Sequence, residues 1–578
     1  MPLVNRTFSQ LIDFTRTTSA TYVNSAGLIA TTPASVNLLT YTQEFDNAAW
    51  TKTNTTVTAN AATAPDGTAT ADKLAETATT AVHNTGQSIT TTVQAYSFSC
   101  YVKAAERNFA LLYHTQSNAS VSVNLTTGAT GTASGTVAPT SSSVTSVGNG
   151  WWRVAMTVTA TAASNFFGVY VMNDLVNASY AGTAGAGIYV WGAQLEVGST
   201  ATDYTRNYGG LYPPRFDYDP VTLAPKGFLI EEQRTNLLLR SEQFDNGSWN
   251  KVGATITADA TTSPDGTADA DALVEDATTG THYTQQFYTG FTSGTAYTIS
   301  VYVKAGTRTW VEMDLPSAAF GVAQGGFFNL SGSGSLGNAT GSPTSRTITA
   351  LGNGWYRITV TATATATAGG NCLLLAASAN GTTSYTGTNG AQALFLYGAQ
   401  LEAGAFGSFV TSYIPTVASQ VTRTADVASI AAPNFASWYN QSAGTLVVSA
   451  SQPTIFAASR TASALSYPGS GSRVGIYRQA AGSINGFVTP GAGALSSGVN
   501  AVANTAWKGA IAYDATTANV SVNGSAVVAG ANSASLGLFD NLGIGGYASG
   551  NENFCGHIRS IRYYPTRLTD AQLQALTA

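Results

Sequence analysis

The sequence predicts an all-β protein made of two tandem, duplicated jelly-roll sandwiches followed by a third β-sandwich. Three observations predict this. A long passage occurs twice, the apolar residues alternate with a period of two, and Gly-containing turn motifs separate the alternating runs. No long stretch shows the 3.6-residue apolar rhythm of an amphipathic helix.

Composition indicates several ordered domains. The chain has 578 residues, too many for one ordinary core, and its length predicts three to five domains. Its 44% hydrophobic content excludes global disorder, and its 59 glycines suit a protein of strands and turns. The net charge is −5 and the sequence contains no run of Lys or Arg, so we expect no nucleic-acid ligand.

Cysteine usage and hydropathy limit the other classes. Cys100, Cys372 and Cys555 are odd in number and far apart, so we expect buried thiols and neither a disulfide framework nor a zinc site. No stretch approaches 18 apolar residues, so no membrane insertion is expected. The N-terminal residues lack the pattern of a secretory signal peptide.

The internal repeat defines the first two domains. The passage NLLTYTQEFDNAAW (37–50) returns as NLLLRSEQFDNGSW (236–249). Farther along, GNGWWR (148–153) returns as GNGWYR (352–357), and WGAQLE (191–196) as YGAQLE (397–402). The spacing between copies drifts only by small insertions, which loops tolerate. We therefore predict jelly-roll modules at 37–205 and 236–416, joined by a linker at 206–235.

Each copy has the local pattern of strands. In YTISVYVK (297–304), Tyr297, Ile299, Val301 and Val303 point to one side, and Thr298, Ser300, Tyr302 and Lys304 to the other. The counterpart YSFSCYVK (96–103) alternates in the same way. We expect a half-buried strand in both copies.

Taken together, these motifs resemble a known group of proteins. The NLL…FDN…W, PDGT, YVKA, GNGW and GAQLE motifs, closed by TSYIPT (411–416), resemble the carbohydrate-binding-module-like jelly rolls of bacteriophage and prophage tail fibres and related virion adhesins. The resemblance covers roughly residues 10–420 and its motifs are mostly structural. It implies a host surface glycan as ligand and a place on the virion exterior, on the tail or the head.

The resemblance also implies partners. An N-terminal segment, 1–36, is too short for its own core and would dock on other virion proteins or a neighbouring subunit. Similar fibres are homo-oligomers, and a trimer is favoured, although no heptad or collagen repeat supports it. Synthesis in the host cytoplasm with release by lysis would explain the missing signal peptide.

The third region, 425–578, uses different motifs and resembles a concanavalin A-like or laminin-G-like sandwich. AIAYD and VSVNG alternate as strands, and Asn523-Gly524 is a hairpin-turn signal. Thr569 with Gln572 three residues later forms the capping box of a short closing helix. Folds of this kind often bind glycans, though many only pack.

Catalytic patterns are not found, so no catalytic residue is predicted and the chain is not expected to be an enzyme. The four histidines, His83, His114, His282 and His557, are scattered, and no GxSxG or HExxH motif occurs. GSGSLG (332–337) matches GxGxxG, but the helix that a phosphate site requires does not follow it.

A binding face is better supported. Sugars are bound by flat aromatic rings with polar groups beside them. In TWVEMDLP (309–316), alternation places Trp310, Glu312 and Asp314 on one surface, and we predict a shallow glycan platform there, joined by Tyr302 and Lys304. The first copy has Phe109, Leu111 and Tyr113 at the three β-strand positions, without the carboxylates. Cover of Trp310 by a loop or a subunit is the competing interpretation.

Two further sets of residues have structural interpretations. For the Trp151/Trp152 and Trp355/Tyr356 pairs, core packing at a turn is favoured. The simplest role for Asp46 and Asp245 in the FDN motifs is to cap a turn. A structural calcium ion, which some similar jelly rolls hold, is the alternative at these two positions, and no other cofactor or metal is expected.

The functional hypothesis is a bacteriophage structural protein, a tail fibre or tail-tip adhesin that binds host surface glycans. A head-decoration or head-fibre protein would use the same modules to cover the capsid. A polysaccharide depolymerase would need a groove lined with carboxylates. The sequence leaves both alternatives open.

Overall fold

The computed structural model describes residues 12–32, 37–207, 209, 212–404, 409–431, 434–436, 438–453, 459–466, 473–480, 482–489, 493–531, 539–546 and 554–578. Its elements are almost all antiparallel strands, which confirms the predicted all-β fold. The chain forms two compact units. One takes in described residues of 1–17, 33–213 and 430–438, and the other those of 18–32, 214–429 and 439–578.

Among the described residues before the second jelly roll, the elements are all strands. They are β1 (Asp13–Thr15), β2 (Thr21–Val23), β3 (Ile29–Thr31), β4 (Thr51–Thr53), β5 (Thr55–Ala62), β6 (Ala71–Glu76), β7 (Thr80–Thr90), β8 (Gln94–Ala104), β9 (Phe109–His114), β10 (Ala119–Asn124), β11 (Thr130–Gly131), β12 (Ser141–Gly148), β13 (Trp151–Ala160), β14 (Ser164–Met172), β15 (Ser179–Ala181), β16 (Gly187–Val197), β17 (Arg215–Tyr218), β18 (Pro225–Ile230) and β19 (Arg234–Asn236).

The second jelly roll and the segment after it contain strands and two short helical turns. They are β20 (Asn250–Val252), β21 (Ala254–Thr261), β22 (Ala270–Glu275), β23 (Thr279–Phe291), β24 (Ala296–Ala305), β25 (Trp310–Leu315), helix α1 (Ser317–Phe320), β26 (Gln324–Asn329), β27 (Ser335–Thr340), β28 (Ser345–Ala350), a 3₁₀ turn (Gly352–Gly354), β29 (Trp355–Thr363), β30 (Ala368–Ala377), β31 (Ser384–Thr386), β32 (Gln392–Gly404), β33 (Val421–Arg423) and β34 (Val427–Ala431).

The described residues of the C-terminal region add ten strands and one helix. They are β35 (Gly444–Ser451), β36 (Arg460–Ser466), β37 (Arg473–Arg478), β38 (Ser483–Thr489), β39 (Gly493–Asn500), β40 (Trp507–Tyr513), β41 (Thr517–Val522), β42 (Val528–Ala531), β43 (Asn541–Ile544), β44 (Gly556–Tyr564) and α2 (Asp570–Thr577).

Both jelly rolls have the same two-sheet topology. In the second, a front sheet of order β20-β23-β30-β25-β26-β27, with β31 beside β23, packs on a back sheet of order β21-β22-β32-β24-β29-β28. The first has the front sheet β11-β10-β9-β14-β7-β15, with β4 beside β7, and the back sheet β12-β13-β8-β16-β6-β5. Each sandwich encloses its own apolar core.

The repeated residues hold equivalent positions inside the two sandwiches. The side chain of Asn236 is fully buried. It donates to the carbonyls of Ala399 and Ile414 at 3.0 and 2.8 Å and accepts from the N–H of Leu401 at 3.1 Å. Asn37 makes the equivalent bonds in the first module. Through these hydrogen bonds, the asparagine of the duplicated passage joins the entry segment of each jelly roll to its GAQLE strand and to its closing segment.

The C-terminal sandwich includes residues from outside the region predicted for it. Its second sheet has the order β17-β18-β44-β35-β40-β41-β42, and Phe228 of β18 pairs with Ile558 of β44. Residues 206–235, predicted as a linker, thus contain a hairpin of this sheet. The sequence pattern gave no sign of the pairing because its partner strand lies more than 300 residues later.

The N-terminal segment also departs from the prediction of one docking segment, 1–36. Described residues 18–32 belong to the same unit as the second jelly roll, where Thr21 Oγ1 donates to the carbonyl of Tyr413 at 2.6 Å. The N–H of Val23 donates to Asp217 Oδ1 at 2.7 Å. Residues 1–11 and 33–36 of this segment lie outside the described residues.

Several local predictions are confirmed. Thr569 and Gln572 form the capping box of α2, and Asn523 and Gly524 both have the positive φ of a tight hairpin turn. Trp151 and Trp355 are buried. Cys100, Cys372 and Cys555 are buried free thiols. In the described part of the chain, no helix is long and apolar enough to span a membrane.

Candidate functional site

The predicted site strand, β25, lies in the middle of the front sheet of the second jelly roll. Val311, Met313 and Leu315 point into the core and are fully buried. Trp310, Glu312 and Asp314 point to the outer face, as the alternation predicts. Trp310 is half-buried, whereas Glu312 and Asp314 are each only 8% exposed. The carboxyl groups therefore lie deeper than an open surface would place them.

The register of the sheet determines what surrounds the two carboxyl groups. Glu312 lies between Phe327 of β26 and Leu375 of β30. Asp314 lies between Gly325 of β26 and Leu373 of β30. A Cβ atom at Gly325 would come within 2.1 Å of Asp314 Oδ1, so the bare glycine leaves room for the carboxyl group. The floor of this face is largely apolar.

Trp310 lies at one end of the same row. A Cβ atom at Gly337 would approach its ring within 2.6 Å, so the indole packs closely over this glycine. Asn380 lies against Gly337 as well, and its Oδ1 accepts from the N–H of Asn338 at 2.7 Å. The turn that carries Asn380 accounts for the partial burial of Trp310. The competing interpretation of a covering loop thus holds for part of the ring.

Sequence reasoning missed the aromatic residues of β23. Tyr283 lies opposite Leu375, and Phe287 lies opposite Asn371, two strands away from β25 on the same face. Phe287 is 58% exposed. In this strand the polar residues His282, Thr284 and Gln286 point inward, so hydrophobicity alone indicates the wrong face. Strict alternation from His282 would have identified the aromatic row.

The two carboxyl groups form a close pair. Thr340 Oγ1 donates to Glu312 Oε1 at 2.5 Å. The carboxyl groups of Glu312 and Asp314 lie close enough for the charge of Glu312 to oppose ionisation of Asp314. Burial, together with the charge of Glu312, raises the pKa of Asp314 to about 8. Burial also raises the pKa of Glu312. The pair therefore retains one proton at neutral pH.

One oxygen atom of this pair lacks a partner. Asp314 Oδ1 is buried and makes no hydrogen bond to any residue that the structure describes. Buried polar atoms of folded proteins are rarely left in this state, because each costs free energy. An unsatisfied acceptor on the floor of an aromatic-lined face can receive a hydrogen bond from a ligand.

Tyr302 and Lys304 do not join this face, contrary to the sequence prediction. They lie on β24, in the back sheet, on the opposite side of the sandwich. Tyr302 is 5% exposed because the closing segment covers it: the ring of Tyr413 lies 6.0 Å away, and the guanidinium of Arg357 lies 5.1 Å from the ring centre. Of the two side chains predicted to be exposed, Tyr302 is therefore buried and Lys304 is half-buried.

The matching face of the first jelly roll is aromatic and carries no carboxylate on β9. Phe109, Leu111 and Tyr113 occupy the positions of Trp310, Glu312 and Asp314 on its outer face. Tyr113 packs edge to face on Tyr170 with ring centres 5.5 Å apart, and Leu111 is buried. The two faces thus differ in chemistry although their strands correspond.

The FDN turns are occupied by a lysine. Lys251 Nζ donates to the carbonyl oxygens of Asp245 and Asn246 at 2.8 and 2.9 Å. Lys52 Nζ donates to the equivalent carbonyls of the first module. An ammonium group thus takes the carbonyl oxygens that a calcium ion would need, and these residues do not fit that ion. Within the described ranges, no group of three or more His, Cys, Asp and Glu side chains could hold a metal.

Comparisons with known proteins give no family. No family model matches the chain, and no curated protein matches it. Among solved structures, the CBM40 domain of Ruminococcus gnavus IT-sialidase bound to alpha2,3 sialyllactose is 19% identical. The match covers 25% of this chain and 89% of that chain, with a TM-score of 0.22.

Two further solved structures are similar over longer stretches. The CBM22-1-CBM22-2 tandem of Paenibacillus barcinonensis Xyn10C is 14% identical over 64% of this chain and 99% of that chain, with a TM-score of 0.20. Domains LG4-5 of the mouse laminin alpha1 chain are 10% identical over 59% of this chain and 91% of that chain, with a TM-score of 0.18. At these identities and scores, no ligand or residue role is transferred to this chain.

Proposed function

We propose that the second jelly roll binds a glycan on the outer face of its front sheet. The observation that carries the proposal is the arrangement of Trp310, Tyr283 and Phe287 around the buried Glu312–Asp314 pair. Aromatic rings stack on the apolar faces of sugar rings, and carboxyl oxygens bond to sugar hydroxyls. The unpartnered Asp314 Oδ1 supplies a hydrogen-bonding atom that a ligand would satisfy.

The same geometry favours binding over hydrolysis. Glycosidases that use two carboxyl groups hold them about 5 Å apart or farther, on either side of the scissile bond. Glu312 and Asp314 instead lie on one face of a single strand, and each is only 8% exposed, so they do not line the two sides of an open groove. We therefore propose a binding role for this face, and we place no catalytic residue on it.

The test is glycan binding by the full-length protein. A panel of bacterial surface polysaccharides, read by biolayer interferometry, should include at least one ligand. Trp310→Ala and Phe287→Ala should each weaken its binding about tenfold or more, as expected for the loss of a stacking ring. Val93→Ala is the matched control, since Val93 is 72% exposed and lies in the first jelly roll. Unchanged binding by Trp310→Ala and Phe287→Ala would refute this face as the site.

We further propose that the chain is a bacteriophage virion protein, a tail fibre or tail-tip adhesin that uses this face on the host surface. The support is the set of sequence motifs shared with such proteins and the low charge of the chain, 10% Asp, Glu, Lys and Arg. Antibody labelling of virions by electron microscopy tests it. Label on the tail supports the adhesin, and label on the capsid supports a head-decoration protein instead.

A further inference from the structure

We infer that the face around Glu312 and Asp314 takes a positively charged amine, so that the preferred ligand is a glycan containing amino sugars with a free amino group. The inference rests on the proposed glycan-binding function. It follows from how this carboxyl pair differs from three other buried carboxyl groups of the second unit.

Three buried carboxylates elsewhere in the second unit have donors of their own. Glu275 receives two hydrogen bonds from Arg308, at 2.6 and 2.9 Å. Glu231 pairs with the guanidinium groups of Arg215 and Arg423. Asp271 has no cation, but each of its oxygens accepts a backbone N–H. In each case the fold supplies the groups that stabilise the buried charge.

The Glu312–Asp314 pair accepts a hydrogen bond from Thr340 but, among the described residues, has no cation of its own. Within the described part of the chain, neither residue takes part in an ion pair. Asp314 is only 8% exposed, and its Oδ1 makes no hydrogen bond to any described residue. Two carboxyl groups side by side therefore lack a compensating cation. A cation from a ligand would relieve the repulsion between them and satisfy the open oxygen.

The neighbours of the pair add no positive charge. On the flanking strands, the facing residues are Leu373 and Leu375 of β30 and Phe327 of β26, and Thr340 of β27 reaches Glu312. Across the face, Tyr283 of β23 is titratable. Arg346 of β28 lies beside β26 and β27, but its guanidinium donates to the carbonyls of Asn338 and Gly337. An ammonium group on the ligand would therefore meet two carboxyl oxygens that no cation among the described residues pairs with.

The aromatic rim suits the same ligand. Trp310 flanks Glu312 on β25, and an aromatic face attracts a cation within about 6 Å of its ring centre. A sugar ring stacked on Trp310 would bring an amino substituent toward Glu312 and Asp314. Stacking would supply contact that any sugar can use, and the carboxyl pair would select the amine.

The experiment compares three oligosaccharide probes on the full-length protein by isothermal titration calorimetry at pH 5.5, at which the free amines of glucosamine are protonated and the carboxyl pair also holds its proton. They are a hexamer of glucosamine with free amines, the N-acetylated hexamer and a hexamer of galacturonic acid. We expect the free-amine hexamer to bind at least about tenfold more tightly than the acetylated one, as one charge-assisted contact provides. The acidic hexamer should bind the least.

Variants and proton release separate this inference from the proposed function. Asp314→Asn and Glu312→Gln should abolish the preference for the amine, and Trp310→Ala should weaken both glucosamine-type probes. Titration in two buffers of different ionisation enthalpy should show proton release by the wild type, because an ammonium group ionises the protonated pair. Asp314→Asn should release none. A thermal melt checks that each variant is folded.

The outcomes are distinct. Equal or tighter binding of the acetylated hexamer, with affinity still dependent on Trp310, would overturn the amine inference and leave the glycan site standing. Binding of trilysine as tight as that of the free-amine hexamer would also overturn it, in favour of a basic protein segment. If none of these oligosaccharides binds and the bacterial polysaccharide panel gives no ligand either, the proposed function itself fails.

Discussion

Arg215 and Asp426, which lie 211 residues apart in the chain, form an ion pair of 2.5 Å in which both side chains are fully buried. Arg215 also pairs with Glu231 at 2.7 Å, and Glu231 pairs with Arg423 at 2.6 Å. Ser412, in the closing segment of the second jelly roll, donates to the same glutamate. One buried network of ion pairs and hydrogen bonds thus joins the segment before the second jelly roll and the segment after it to Ser412 in its closing segment.

The first prediction concerns this network. Arg215→Met should destabilise the second unit by about 3–5 kcal/mol, because it leaves Glu231 and Asp426 buried without one of their cations. Differential scanning calorimetry of the full-length protein should show a lower melting transition. Lys73→Ala is the control: it removes a pair with the 54% exposed Glu106, and should cost at most about 1 kcal/mol. Equal effects of the two substitutions would contradict the assignment.

The second prediction concerns the C-terminal sandwich as a fragment. A fragment 425–578 lacks β17 and β18, so β44 would become an edge strand with unpaired backbone groups. We expect this fragment to aggregate or to remain partly unfolded, whereas a fragment 214–578 should be monomeric and should melt cooperatively. Size-exclusion chromatography with circular dichroism distinguishes the two. A stable, monomeric 425–578 fragment would show that the hairpin is dispensable.

The hairpin shows where sequence reasoning succeeds and where it stops. The repeat and the alternation predict the sandwiches because their signals are local, as in β24 and β25. The pairing of Phe228 with Ile558 depends on two segments that are distant in the chain and carry no shared motif. A short strand such as Arg215–Tyr218, flanked by turn residues, has the sequence pattern of a linker. Its place in a sheet can be recognised only when its partner strand is known.

The site shows the same division. Alternation places Trp310, Glu312 and Asp314 on one face correctly, because the side-chain period of a strand is fixed. Alternation does not indicate which sheet a strand joins. The prediction therefore places Tyr302 on the same face as Trp310, although their strands belong to different sheets. The burial of Tyr302 depends on Tyr413, which arrives from the closing segment more than 100 residues later. Cover by a distant segment leaves no local pattern.

The third prediction concerns metal dependence. Since Lys251 takes the carbonyl oxygens of the FDN turn, EDTA should not change the melting temperature of the wild-type protein. Lys251→Met removes two charge-assisted hydrogen bonds and should destabilise the second jelly roll by about 2 kcal/mol. Thermal melts with EDTA and with added calcium test both statements. A drop of several degrees with EDTA alone would contradict the lysine assignment.

The fourth prediction uses the buried Glu275. Burial opposes its ionisation, but hydrogen bonds from Arg308, Tyr385 and the N–H of Thr388 hold its pKa at about 2 in the folded protein. A carboxyl group with a lowered folded pKa stabilises the fold above its unfolded pKa of about 4.5, and this contribution is lost as the pH falls toward 2. The wild type should therefore be more stable than Glu275→Gln at pH 6, with the gap closing between pH 4.5 and 2.

Chemical denaturation of both proteins across that pH range measures the gap. Glu275→Gln retains the shape of the side chain and one acceptor oxygen, so the difference reports mainly the charge. A gap that stays constant from pH 6 to pH 2 would mean that Glu275 does not carry the charge that stabilises Arg308.

The last prediction concerns the unliganded Glu312–Asp314 pair and has the opposite sign. Burial and the charge of Glu312 raise the folded pKa of Asp314 from 3.8 to about 8. A carboxyl group with a raised folded pKa favours folding most at low pH, and its contribution is lost as the pH rises from about 4 through about 8. Asp314→Asn lacks this titration. The stability of the variant relative to the wild type should therefore increase from pH 4 to about pH 8 and then level off.

Thermal melts of the two proteins over this range test the prediction in the absence of any glycan. Glu275→Gln is the internal comparison, because its difference from the wild type should not change between pH 6 and pH 9. Parallel curves for Asp314→Asn and the wild type would mean that Asp314 is ionised throughout. The proton that the amine-binding experiment expects to be released would then not be present on this pair.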